Sequence, residues 1–238
     1  MEHSIANEAR RVVTGITEQL ARLRDRIEAA AAASGRSAAD IRILAVSKTH
    51  RAARVQELLS AGLADFGENY LQEALEKIPA VTGEARWHFI GGIQSNKTRA
   101  IAEHFDWVQT VSSRRIAERL SRQRPEEAAD LQALIQIRPA GAPQRHGVEQ
   151  TEVANLAEAI ERLPRLRLRG LMIMPVAGQD DAGLRAEFAR ARELWSALRS
   201  QGYGLDTLSM GMSDDLEAAI MEGSTMVRVG TALFGPRK

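Results

Sequence analysis

Cysteine is absent from the 238-residue chain. A disulfide framework, a thiolate nucleophile and a zinc–thiolate site are therefore excluded, and the composition fits a reducing compartment. An excess of one charge sign is lacking too: 32 basic and 31 acidic residues leave a formal net charge of +1. That near balance gives no electrostatic reason to expect nucleic acid or an anionic membrane as the main partner. No apolar run approaches the length of a membrane span. The opening residues, Met1-Glu2-His3-Ser4-Ile5-Ala6-Asn7-Glu8, lack the basic and apolar regions of a secretory signal, so a cytoplasmic location is expected. There is no low-complexity tract and no interdomain linker. His88 has no second histidine nearby, so no metal site is expected.

What remains is ordinary globular composition, with 44% hydrophobic and 26% charged residues. Ile5, Val12, Ile16, Leu20, Leu23 and Ile27 recur at spacings built from three and four, which predicts one face of an N-terminal helix, with Ser34-Gly35 as its stop. Short branched apolar runs then alternate with amphipathic stretches. Strands are expected near Ile41–Ser47, Leu63–Gly67, Trp87–Gly91, Trp107–Val111, Leu131–Ile137, Leu168–Met174, Thr207–Met210 and Met226–Val229. Helices are expected between them, at Arg54–Ala61, Tyr70–Ile78, Lys97–Glu103, Ser113–Arg122, Glu149–Leu163, Leu184–Arg199 and Asp214–Glu222. This rhythm predicts an α/β protein, a single (β/α)8 TIM barrel spanning residues 1–238 with an extra N-terminal helix. An open doubly wound sheet would instead carry a glycine-rich fingerprint after its first strand, where this chain has Ser47-Lys48-Thr49-His50.

Lys48 ends a mostly apolar strand, at the mouth of such a barrel. Partial desolvation there would lower its pKa and free its amine to form an imine with a carbonyl. On position alone, a solvated lysine at a strand end fits as well and is the commoner case. Two small, donor-rich turns follow the last two strands: Leu208–Asp215 (LSMGMSDD), with Met210 and Ser213, and Val227–Gly235 (VRVGTALFG), with Gly230 and Thr231. Barrels often build a phosphate site there, although Ser213 followed by Asp214-Asp215 also reads simply as a capped helix start. Arg228 lies between Val227 and Val229 and faces the other side of its strand. Buried there it needs a partner, either a ligand ring nitrogen or a carboxylate in a core salt bridge. Asn69 follows the second strand, and His88 alternates with aromatic neighbours, as a satisfied core histidine often does.

Taken together, Leu44–Thr49 (LAVSKT), Phe66–Tyr70 (FGENY), Trp87–Lys97 (WHFIGGIQSNK), Arg169–Met172 (RGLM), Leu208–Asp215 and Ser224–Gly235 (STMVRVGTALFG) make the chain resemble the pyridoxal-phosphate homeostasis proteins, single-domain relatives of the alanine racemase barrel. The resemblance implies that pyridoxal 5′-phosphate is the cofactor, held as an aldimine on Lys48. It implies Asn69 beside the ring, Arg228 at the pyridine nitrogen, and Ser213, Gly230 and Thr231 at the phosphate. Met210 and His88 complete the implied cofactor contacts. An arginine at the ring nitrogen disfavours its protonation and makes the ring a weaker electron sink than an aspartate would. The family's members resemble cofactor carriers rather than enzymes, which implies a non-catalytic role in intracellular vitamin B6 homeostasis, a monomer, and apo pyridoxal-phosphate enzymes as recipients.

Alanine racemases add a β-domain that brings a tyrosine acid to the far face of the cofactor. This chain ends at Lys238, and only Tyr70 and Tyr203 are present. The competing expectation is an amino-acid racemase that takes its second acid from Tyr70, His88 or water. A further one is an aldol-type barrel with a lysine imine to substrate and no cofactor. One departure from the family pattern is Arg145-His146-Gly147, where relatives often carry a lysine two positions before the glycine. Arginine keeps the charge there but does not readily form an imine.

Overall fold

A computed structural model describes the chain from residue 2 to residue 235, with side chains from residue 15 to residue 235; the side chains of Ile5 and Val12 lie outside the described residues. The chain runs α1 (Glu2–Ala33), β1 (Arg42–Val46), α2 (Ala52–Ser60), β2 (Asp65–Glu68), α3 (Leu71–Lys77), β3 (Arg86–Phe89), α4 (Thr98–His104), β4 (Trp107–Val111) and α5 (Arg114–Gln123). It continues through β5 (Leu131–Ile137), α6 (Val153–Glu161), β6 (Leu166–Ile173), α7 (Asp181–Ser200), β7 (Thr207–Ser209), α8 (Leu216–Met221), β8 (Met226–Val229) and α9 (Thr231–Phe234). The strands are parallel and close into a barrel in sequence order, with β8 returning to β1. The expected single (β/α)8 barrel and its extra helix are thus what the chain forms. No helix among the described residues is long and apolar enough to cross a membrane.

Alternation along the strands builds two layers. Outward side chains such as Ala45, Phe66, Trp87, Phe89, Val108, Ile135, Val227 and Val229 pack under the helices in one continuous core. Inward side chains fill the barrel in a mixed way: Leu44, Ile90 and Met226 form one apolar cluster, Trp107, Leu134 and Met172 another, and His88, Gln109, Ser209 and Arg228 lie buried among them. At the base, the guanidiniums of Arg42 and Arg169 sit 4.9 and 5.0 Å from the Trp107 ring centroid, so cation–π contacts close that end. α1 buries Ile16, Leu20, Leu23 and Ile27, and it ends at Ala33 with Gly35 in the left-handed region at φ 68°. Its Arg26 reaches Glu217 and the Ser213 carbonyl, tying the helix to the turn after β7.

Element boundaries differ from expectation where pairing or capping intervenes. β2 starts at Asp65 rather than Leu63 and includes Glu68, because Glu68 is in register with Phe89 of β3. The helix expected from Glu149 begins with a 3₁₀ turn, Gln150–Glu152, before α6. α7 starts earlier than expected because Asp180 accepts a hydrogen bond from the Gly183 amide as its N-cap. The N-cap position of α8 is Asp215, not Ser213; Ser213 Oγ instead accepts from the Ala232 amide, 3.4 Å away.

Bulges re-aim two strands. The β5–β6 register slips between Ala133 and Leu134, so Arg169 is the extra residue and Gly170 sits at φ 153°. A Cβ on Gly170 would lie 1.6 Å from the Thr207 carbonyl oxygen. Gly170→Ala should therefore destabilise the protein by about 3 kcal/mol or more in urea titration. Gly204 has open space around it and lies outside the left-handed region, so Gly204→Ala should stay within about 1 kcal/mol of wild type.

Candidate functional site

Lys48 lies two residues past β1, at the strand's C-terminal end. It lines a cavity of about 260 Å³ at the mouth together with Asn69, Ser213, Arg228, Gly230 and Thr231. Six of the eight expected contacts are thus brought to one place from the ends of β1, β2, β7 and β8. Sequence reading missed Val46, Ile90, Met174, Met212 and Asp214, which line the same cavity. Strand alternation offered a signal for three of them: Val46 and Ile90 share the inward parity of Leu44 and His88, and Met174 that of Met172.

Two expected contacts lie elsewhere. Met210 is fully buried in the core beneath the helices, because Ser209 before it faces the barrel interior and alternation turns Met210 outward. His88 is inside the barrel but a layer below the cavity, stacked on Trp107 at 5.1 Å between ring centroids.

Arg228 is 3% exposed. The core salt bridge considered for it does not form. Its Nη1 donates to Ser209 O and Ser209 Oγ at 2.8 Å, and its Nη2 to Ile173 O at 2.8 Å. Burial pushes the guanidinium down to about 10, partly offset by Asp215, so it stays charged at neutral pH. A buried cation held by carbonyls and a hydroxyl keeps its full charge available to whatever occupies the cavity.

Arg228 also ends a hydrogen-bonded chain through the barrel interior. It donates to Ser209 Oγ, which donates to Gln109 Oε1 at 2.8 Å. Gln109 Nε2 donates to His88 Nδ1 at 3.0 Å, leaving His88 Nε2–H to donate to Asp65 Oδ1 at 2.9 Å. Arg86 grips both Asp65 oxygens from outside. Every group donates in the same direction, so one side-chain amide orientation and one histidine tautomer satisfy the whole chain. A bulge in β4 between Val108 and Val111 lets Gln109 take this inward place while Val111 still packs outward.

On the other side of the mouth, Asn69 Oδ1 is buried with no hydrogen-bond partner among the described residues. The Asn69 backbone is packed by Gly91, where a Cβ would lie 2.1 Å from the Asn69 carbonyl oxygen. Arg145 and His146 line a neighbouring cavity that shares Asn69, Ile90 and Met174 with the first. No group of three metal-ligating side chains occurs among the described residues.

Burial holds the His88 imidazole below its ordinary value of 6.5, outweighing the pull of Asp65, so the ring is neutral. Burial raises the Asp65 carboxyl, but hydrogen bonds from Arg86 and His88 outweigh it and hold it well below the carboxylate range. The unfolded chain therefore binds a proton at His88 that the folded chain refuses. That contribution is complete above pH 6.5 and is lost as pH falls through that value, with a slope of at most about 1.4 kcal/mol per pH unit. Denaturant titrations from pH 7.5 to 5 should show this slope in wild type and its loss in His88→Gln. The Asp65 contribution fails only at lower pH, below about 4.

Comparison with known proteins places these residues in context. Residues 19–238 match the family model described as alanine racemase, N-terminal domain. The chain is 54% identical over 223 residues to the pyridoxal phosphate homeostasis protein of Pseudomonas aeruginosa, covering 93% of this chain and 96% of that one. It is 49% identical over 228 residues to the protein of that name from Escherichia coli K12, with 93% and 97% covered. Among solved structures, PipY of Synechococcus elongatus is 36% identical and covers 92% of this chain and 100% of its own; the TM-score is 0.83 without PLP and 0.78 with PLP bound. The alanine racemase of Corynebacterium glutamicum, at 16% identity and a TM-score of 0.69, shares the fold over 94% of this chain and 62% of its own.

Proposed function

The chain belongs to the pyridoxal phosphate homeostasis protein family, and on that premise we propose that Lys48 is the covalent attachment point for pyridoxal 5′-phosphate at the barrel mouth. It is a pyridoxal-phosphate-binding protein of vitamin B6 homeostasis rather than an enzyme. The observation that carries the site assignment is the convergence of Lys48, Asn69, Arg228, Ser213, Gly230 and Thr231 on one cavity.

The residues present fit the cofactor. An amine stands at the strand end, a charged guanidinium at the floor, and an unpartnered buried amide oxygen at the side. When bound, pyridoxal phosphate supplies an aldehyde for an amine and a ring that withdraws electrons. Lys48 would hold it covalently. Arg228, positive and fixed by Ser209 and Ile173, would oppose proton gain at a ring nitrogen set beside it. Ser213 and Thr231 hydroxyls would bind the phosphate, with the Ser213 loop braced by Arg26 from α1.

The two side chains considered as second acids for a racemase do not reach the cavity. His88 is committed to Asp65 and Gln109 below it. Tyr70 is 58% exposed and outside the lining. The remaining parts of the reading are a single cofactor-binding domain over residues 1–238, a cytoplasmic monomer, and apo pyridoxal-phosphate enzymes as recipients. Absence of cysteine fits the reducing compartment that this location implies.

Purified protein should carry a visible absorbance band that borohydride abolishes while fixing the cofactor onto Lys48, and Lys48→Ala should remove both the band and the covalent label. A band retained in that variant rejects Lys48 as the attachment point. Ser213→Ala with Thr231→Val should weaken pyridoxal phosphate binding by about tenfold or more in titration, while phosphate-free pyridoxal binds as to wild type.

A further inference from the structure

The turn that carries Lys48 is held from behind the barrel wall by a buried charge cluster that the cavity does not include. Lys77, at the end of α3, has a side chain only 4% exposed. Its ammonium has three protons and uses all three: Nζ donates to Ser47 O at 2.8 Å, Glu68 Oε1 at 2.6 Å and Glu73 Oε1 at 2.8 Å. The same two carboxylates reach the lysine turn directly. Ser47 Oγ donates to Glu68 Oε1 at 2.6 Å, and the Thr49 amide donates to Glu73 Oε1 at 2.5 Å. The residues on both sides of Lys48 are therefore fixed by one ammonium and its partners.

The backbone there needs fixing. Thr49 has φ 67°, a left-handed conformation that a β-branched residue adopts only under constraint. The Ser47 carbonyl also accepts from the His50 amide, which closes the turn. A buried ion pair is seldom the most stable way to fill such a space; apolar residues of the same volume commonly do as well or better. Its use here is better explained by geometry than by stability. Burial raises the Glu68 carboxyl and the Lys77 charge opposes that, so the pair is mutually dependent.

We propose that Lys77, with Glu68 and Glu73, is the positioning device of Lys48: it fixes the backbone on both sides of the reactive amine, so that attachment does not first have to order the turn. This rests on Lys48 being the attachment point. Lys77 touches no ligand and acts only through Ser47 and Thr49.

Glu73→Ala is the cleanest variant, since Glu73 is partly exposed and its loss leaves the Lys77–Glu68 pair intact. Lys77→Met combined with Glu68→Gln is the companion, leaving no unpaired charge in the buried space. In cofactor-free protein, amide hydrogen exchange over residues 47–50 should accelerate by about tenfold or more in both, with the melting temperature of Glu73→Ala close to wild type. The rate of covalent attachment of pyridoxal phosphate, followed by absorbance, should fall by about tenfold or more. Affinity for pyridoxine 5′-phosphate, which has no aldehyde, should not change. Folded variants that attach the cofactor and exchange amides at wild-type rates overturn the proposal. So does a loss shared equally by the analogue, since that marks a general structural role. Wild-type protein lacking any Lys48-dependent band sinks the underlying reading as well, so the two failures are distinct.

Discussion

Backbone pairing between β1 and β8 sets Leu44 opposite Arg228 and Ala45 opposite Val229, and closure of the sheet at this seam decides which residues share the mouth. The seam places Lys48, from the start of the barrel, beside Gly230 and Thr231, from its end. Parallel strands carry all their C-terminal ends to one face, so the loop after β7 arrives at the same rim. Ser213 then accepts from the Ala232 amide, joining the last two turns into one edge of the mouth. Opening this seam would separate the amine from Arg228, Gly230 and Thr231 and from the Ser213 turn, leaving it only Asn69 of the neighbouring β2 end.

The same closure creates an interior that must be filled, and this chain fills part of it with polar groups. A barrel core of branched apolar residues is the usual solution. Here His88, Gln109 and Ser209 link Asp65 near the base to Arg228 at the mouth. Burying such groups is costly unless each is satisfied. Every member of this chain has its partners, and the result fixes a cation under the cavity whose direct hydrogen-bond partners are carbonyl and hydroxyl oxygens. Outside the wall, Lys77 and its two carboxylates do the corresponding work for the turn after β1. The mouth is thus braced from within and from behind.

The relation to alanine racemases follows from this architecture. The shared fold brings the strand ends and the loops that follow them to one rim, which is a property of a barrel mouth. Catalysis would further require an acid on the open face of the cofactor, and fold similarity does not supply one. In this chain the nearest tyrosine by sequence, Tyr70, faces solvent, and His88 is occupied in the interior.

Much of this was legible before any coordinates. The rhythm of branched runs and amphipathic stretches fixed the barrel and the order of its elements, since period two and period 3.6 are local properties of the chain. β4, β5 and β8 fell where they were expected. The strand-end position of Lys48 and the small turns near Ser213 and Thr231 marked the mouth. What tertiary structure alone decided depends on partners distant in sequence. Bulges in β4 and β6 flip the parity of alternation, so no local rule could put Gln109 and Val111 on opposite faces. Ser213 read as a helix cap because its hydroxyl precedes two aspartates; its partner, the Ala232 amide, comes near only when β7 and β8 pair. Met210 and His88 belonged to the right motifs but lie outside the cavity: alternation beside the inward Ser209 turns Met210 to the helices, and the depth of the layer that holds His88 is set by packing. Lys77 looked like an ordinary residue at a helix end. Only the fold shows it buried, with its charge spent on the turn that carries Lys48.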